Sequence, residues 1–160
     1  MAQKLQALRA LAVIPSDDAN VPFPAAVTSG TNTSVVGSKL VNSSATFITS
    51  GVSIGDIVYN NTLGLAATVV GVESNTTLKL NANIFTTTLP NNYVIYNGNT
   101  NTGSQTPCVF FVGVAGDVNV VTEAGDTVLF KNLQDGQFVP VSVTRILDND
   151  TNAQSIVALW

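Results

Sequence analysis

The sequence predicts an all-β protein of two small β-sandwich or barrel domains, the middle one inserted between an N-terminal segment and the C-terminal domain. Three observations predict this. Apolar residues occur in short β-branched and aromatic runs separated by tight-turn residues. The polar fraction is Thr, Asn and Ser in place of charge: charged residues are 10% of the 160-residue chain, against about 25% in an ordinary soluble domain. Those short side chains compete for backbone hydrogen bonds, so they suit turns and strand faces better than helix interiors. Finally, the texture changes twice along the chain. The expected organisation is an arm and extended linker at 1–29 belonging to a base domain, an inserted β-domain at 30–101, and the C-terminal β-domain at 102–160.

At the start, Leu5, Leu8, Leu11 and Ala12 fall at helical spacing. Pro15 ends any helix there, and one or two turns are marginal alone. The segment either packs on its own domain or grips another subunit. Lys4, Gln6 and Arg9 interrupt any apolar leader core, so the start reads as mature sequence. Pro15 to Pro24 reads as a stiff extended linker with Phe23 as its anchor.

In the middle region only Lys39, Asp56, Glu73 and Lys79 are charged. Strands are expected at Val35–Val41, Thr46–Thr49, Asp56–Tyr59, Thr68–Glu73, Thr77–Leu80 and Tyr93–Tyr96. Leu78 and Leu80 flank Lys79 in the alternation of a half-buried strand. Gly51, Gly55, Gly64 and Asn60-Asn61 punctuate the runs, and the whole fits a small barrel or sandwich. The boundary Asn97-Gly-Asn-Thr-Asn-Thr-Gly103 is a linker by composition.

The C-terminal region gives strands at Val109–Val114, Val118–Thr122, Thr127–Lys131, Phe138–Arg145 and Ile156–Leu159. Turns at Gly113–Asp117, Glu123–Asp126 and Gln134–Gly136 separate the first four. Pro140 removes a ladder donor, which makes its strand an edge or a carrier of a bulge. An edge there would invite cover from a neighbouring subunit.

Composition excludes several chemistries. With one cysteine and no histidine, an intrachain disulfide, a Cys/His zinc site and any imidazole-dependent nucleophile are ruled out. Cys108 reads as a small buried apolar residue. Six scattered cations and a net charge of −4 disfavour nucleic acid, which needs clustered positive charge. No apolar stretch is long enough to span a bilayer as a helix. Asp148-Asn-Asp150-Thr-Asn152 has the opening spacing of a calcium loop, but Ala153 and Leu159 stand where the glycine and the bidentate glutamate belong, so it reads as a polar turn. Asp17-Asp18 reads as a solvated turn. No catalytic, metal or cofactor residue is expected.

Two blocks together resemble a known family. Ile14-Pro-Ser-Asp-Asp-Ala-Asn-Val-Pro-Phe-Pro24 is similar to the opening of tailed-phage virion proteins of the head-spike-base type. Phe110-Phe-Val-Gly-Val-Ala-Gly116-Asp117, Gly125-Asp-Thr-Val-Leu-Phe-Lys131, Gly136-Gln-Phe-Val-Pro140-Val and Ile156-Val-Ala-Leu-Trp160 resemble its later motifs, in the same order. The insert departs from that pattern. Its Phe47–Tyr59 and Ala67–Leu80 stretches resemble a β-module that recurs in phage structural proteins. The resemblance implies a non-enzymatic virion component on the capsid surface, either a decoration (cement) subunit or a head spike base. Its partners would be the major capsid protein and further copies of itself, a trimer ahead of a pentamer, and for a spike base a spike or fibre protein. Leu5, Leu8, Leu11, Phe23 and Trp160 are the expected interface anchors. The alternative is a receptor- or glycan-binding module of a tail or fibre base, with Tyr59, Tyr93 and Tyr96 as an aromatic platform where the first reading has them as barrel core or rim.

Overall fold

In the computed structural model of the chain, residues 7–86, 90–98 and 107–160 are described, and among them there is no helix. The strands are β1 (Ala10–Ala12), β2 (Ala26–Thr31), β3 (Ser34–Val35), β4 (Lys39–Val41), β5 (Ile57–Asn60), β6 (Leu65–Ser74), β7 (Thr77–Leu80), β8 (Asn92–Tyr96), β9 (Cys108–Val112), β10 (Gly116–Thr122), β11 (Thr127–Leu133), β12 (Gln137–Ile146) and β13 (Val157–Leu159). They form two sheets, in the orders β1-β13-β9-β12-β10-β11 and β2-β8-β5-β6-β7-β4-β3.

The second sheet closes on itself. β2 pairs with β8 and β3 pairs with β4, at opposite ends of the strand order. Yet β2 and β3 are one stretch of chain, bent at Asn32-Thr33. At the bend the buried Asn32 takes the Asn91 N–H on its Oδ1 at 2.8 Å and gives its own N–H to the Asn91 carbonyl at 3.1 Å. Thr33 N–H already bonds the Val41 carbonyl at 2.8 Å. The bent stretch thus joins the two ends of the strand order, β2 pairing on one side and β3 on the other, a way for a small β-domain to limit its exposed edges. β6 makes the other corner: its first half pairs with β5, its second half with β7, with register shifts at Val69/Gly71 and Val72/Ser74. Phe47, Phe85, Tyr93, Leu40, Leu78, Val58 and Ile95 fill the interior. Tyr93 keeps its hydroxyl satisfied there by accepting from Asn42 Nδ2 at 2.8 Å.

Two of the expected barrel strands are corrected. Thr46–Thr49 is a turn, closed by Ser50 N–H to the Thr46 carbonyl at 2.7 Å. Asn75 Oδ1 accepts from the N–H groups of Ile48 and Thr49, which pins the loop so that Phe47 plugs the barrel end. Val35–Val41 is broken into the β3–β4 hairpin at Gly37, whose φ of 48° lies in the left-handed region that glycine reaches without a Cβ clash.

The first sheet, hereafter the base, is open. Its core is Phe110, Val112, Val118, Val120, Val143, Ile146, Ile156 and Ala158, with Cys108 among them. The expected helix is not realised in the described part of the N-terminal segment. Ala10–Ala12 is strand β1 on the free edge of β13, with Leu11 opposite Ala158. A ladder partner is available to this segment, whereas a short helix would have had to stand alone. Pro140 sits in the interior strand β12, not at an edge. The pairing of β12 with β9 jumps from Val139↔Phe110 to Val143↔Cys108 across it, so the missing donor falls in an irregularity. Among the described residues the terminal strands of this sheet are β1 and β11.

Residues 13–24 thread between the two bodies and bond to both. Ser16 N–H reaches the Ile146 carbonyl and Val21 N–H the Thr144 carbonyl on the base side. On the barrel side Ser16 Oγ donates to the Ala66 carbonyl at 3.1 Å, and Thr68 Oγ1 and Asn81 Nδ2 both donate to the Asp18 carbonyl. An apolar joint of Ala19, Ile57, Tyr59 and Ala66, packed by Leu11, Ile14 and Tyr96, sits beneath these bonds. The chain leaves the barrel at Gly98, whose N–H donates to Asp56 Oδ1 at 3.0 Å. A Cβ there would fall 1.7 Å from the Gly55 carbonyl oxygen, so only glycine permits the crossing.

Candidate functional site

Two of the expected anchors, Phe23 and Trp160, meet at one end of the base. Trp160 extends the last strand and exchanges main-chain bonds with Arg9 at 3.0 and 3.1 Å. Phe23 packs edge-on against the Trp160 ring at a centroid distance of 5.9 Å, and the Arg9 guanidinium lies 5.0 Å from the Phe23 centroid. Arg9 Nη1 is held there by the Pro24 carbonyl at 3.2 Å. Phe23 and Trp160 are therefore partly covered by each other and by the base core, against which Trp160 packs. Leu8, beside them in the chain, is 86% exposed. Leu11 lies elsewhere, half-buried in the joint beneath the barrel. Leu5 lies outside the described residues.

A larger apolar surface lies on the outward face of the base. Register across β12, β9, β13 and β1 puts Phe138, Phe111, Val157 and Ala12 in one row, and Val109, Leu159 and Ala10 in the next. None of these seven side chains is buried, whereas the alternate residues Val139, Phe110 and Ala158 are. None belongs to a core cluster. A one-sided antiparallel sheet ordinarily turns polar residues outward. Here the outward rows contain no polar or charged side chain at all. The signal was present in the sequence: Val109-Phe-Phe-Val112 and Val157-Ala-Leu159 do not alternate, as strands apolar on both faces do not.

The remaining candidate residues have structural positions. Tyr93 is in the barrel interior, and Tyr59 and Tyr96 stack edge-on at 5.4 Å in the joint, so no tyrosine platform is presented to solvent. Burial raises the phenol pKa of all three. The Tyr59 hydroxyl nears the Ile14 main chain but makes no well-formed hydrogen bond. Cys108 is buried, and burial pushes its thiol up to about 12. The Asp17 carboxylate is engaged: its Oδ1 accepts from Asp148 and Asn149 N–H at 3.1 and 3.2 Å, which ties the linker to the β12–β13 connection. In that connection Asn152 Oδ1 accepts the Asp117 N–H at 2.6 Å. Among the described residues no group of three acidic or cysteine side chains is placed to hold a metal ion.

No family model, curated protein or solved structure matches the chain.

Proposed function

We propose that this protein is a structural component of a tailed-phage virion, a capsid decoration or head-spike-base subunit that binds the shell and its sister copies through the outward face of the base. The observation that carries the reading is the apolar double row of Phe138, Phe111, Val157, Val109 and Leu159, none of which is buried. An apolar patch of this kind is a docking site or a liability. Supporting it, the two segments that resemble the spike-base family, 14–24 and 107–160, are the ones that fold together as the base and its strap. Covering a Phe or Leu side chain fully is worth roughly 1.5–3 kcal/mol, and these are partly covered already, so each adds a fraction of that. Symmetry repeats the gain over every copy of a shell. The barrel has its own core and is joined to the base through Ile57, Tyr59 and Ala66 and the strap.

The test uses capsids that lack the protein. Added wild-type chain is expected to bind them and raise the temperature at which they release their contents. Phe111→Asp is expected to fold with a circular-dichroism melt close to wild type and to bind at least tenfold more weakly. Undiminished binding by the folded Phe111→Asp chain would remove this face from the reading, and no binding by the wild type would remove the reading itself.

A further inference from the structure

We infer that the cleft between barrel and base is a binding site for a neutral sugar ring, held through two adjacent hydroxyls. The inference goes beyond the scaffold reading and does not depend on it. The cleft has a volume of about 280 Å³, and its polar wall comes from three separate parts of the chain: Asp18 and Asn20 of the strap, Thr68 and Asn81 of the barrel, and Arg145 of β12. Ile57 and Val70 supply apolar surface.

The hydrogen-bond inventory of this wall is uneven in a way that selects a ligand. Thr68 and Asn81 are spent on the Asp18 carbonyl, which fixes the strap, while the Asp18 carboxylate has no hydrogen bond among the described residues. Arg145 uses Nε on Asn20 Oδ1 at 2.9 Å and Nη1 on the Asp17 carbonyl at 2.7 Å, so its guanidinium is held in place while Nη2 stays unbonded. Asn20, its oxygen occupied, keeps a free amide N–H₂. A carboxylate and a guanidinium thus line one cleft, and no ion pair joins them; Lys39–Glu73 is the ion pair found among the described residues.

The residues lining the cleft thus bring one carboxylate acceptor and two donors to it. A hydroxyl is the group that serves both, donating to the carboxylate and accepting from the guanidinium or amide, and hydrogen bonds to charged groups are the stronger kind. A simple anion would meet Asp18 and a simple cation Arg145. A zwitterion would have to desolvate two full charges of its own, a cost that such pairing often only balances. A pair of ring hydroxyls carries no such cost, and the C–H face of the ring suits Ile57 and Val70.

The experiment is an NMR titration of the labelled full chain with D-glucose, D-galactose, D-mannose and N-acetyl-D-glucosamine, and with glycine as the zwitterion. At least one sugar is expected to give saturable shifts at the amides of Asn20, Gly55 and Thr68. Asp18→Ala is expected to keep the wild-type melting curve, because the carboxylate holds nothing in the fold, and to weaken that sugar about tenfold, the loss of a hydrogen bond to a charged group. No saturable shift with any sugar, tighter binding of glycine, or sugar binding unaffected by Asp18→Ala would each overturn the inference.

Discussion

The barrel and the base are built from the same kinds of residue and reach opposite ends. The barrel bends one stretch of chain at Asn32-Thr33 so that it serves both edges of the strand order; Phe47, Phe85 and Tyr93 fill its interior, while Tyr59 and Tyr96 pack in the joint with the base. The base stays open: among the described residues β1 and β11 pair on one side only, and a second apolar face is left partly exposed. A closed ring completes its own core. An open sheet with two apolar faces is complete only when something else covers the outer one. The difference separates a body whose aromatics fill its own interior from one that carries apolar side chains on both faces.

The strongest way to break this contrast is to empty each core in turn. Phe47→Ala in the barrel and Phe110→Ala in the base are each expected to cost about 3–5 kcal/mol. If the barrel is self-contained, Phe47→Ala lowers amide exchange protection across β4–β8 while β9, β10 and β12 keep theirs. Collapse of both bodies together in native-state exchange would show that the joint of Tyr59, Ile14 and Leu11 merges them into one cooperative unit.

A second effect belongs to the base. Burial raises the Cys108 thiol from 9.0 to about 12, so the folded protein holds a proton that the unfolded chain releases. That contribution is intact below about pH 9 and is lost as pH rises towards 12, at most about 1.4 kcal/mol per pH unit. The buried tyrosines add in the same direction, but only above their ordinary value of 10.0. Cys108→Ala is expected to flatten the fall in denaturation midpoint between pH 9 and 10; an unchanged slope would mean that the thiol is not the group responsible. The smallest effect is on the barrel surface. Lys39 Nζ meets Glu73 at 2.8 Å with both side chains more than a third exposed, so Lys39→Met is expected to change stability by less than about 1 kcal/mol. A larger loss in urea denaturation would make that ion pair part of the barrel's closure.

Much of this fold was legible in the sequence, and unevenly so. The five base strands from Cys108 onward stand close to where their turn residues put them, because Gly125 and Gly136 mark the breaks. β2 was not legible: Ala26-Val-Thr-Ser-Gly-Thr31 neither alternates nor carries aromatics, and it is a strand because ring closure gives it partners on β8. The same logic made a strand of Ala10–Ala12 despite helical spacing. Leu78 and Leu80 are readable as the buried face of their strand, but Phe47, in the expected strand Thr46–Thr49, is the plug of a turn held by Asn75. Of the candidate sites, the apolar outer face was implicit in runs that fail to alternate. The cleft was not, since it joins Asp18, Asn81 and Arg145 across more than sixty positions of chain, and local pattern carries no information at that distance.

The barrel enters and leaves the base at a single doorway: Ala26 stands opposite Tyr96, and Asn97 N–H reaches back to the Ala25 carbonyl at 3.1 Å. Chain ends that lie side by side can be rejoined by a tight loop or spliced to another polypeptide with the same spacing. The projecting body is in that sense a cartridge. A substitute for it would have to present to the strap the same apolar surface that Ile57, Tyr59 and Ala66 bury in the joint.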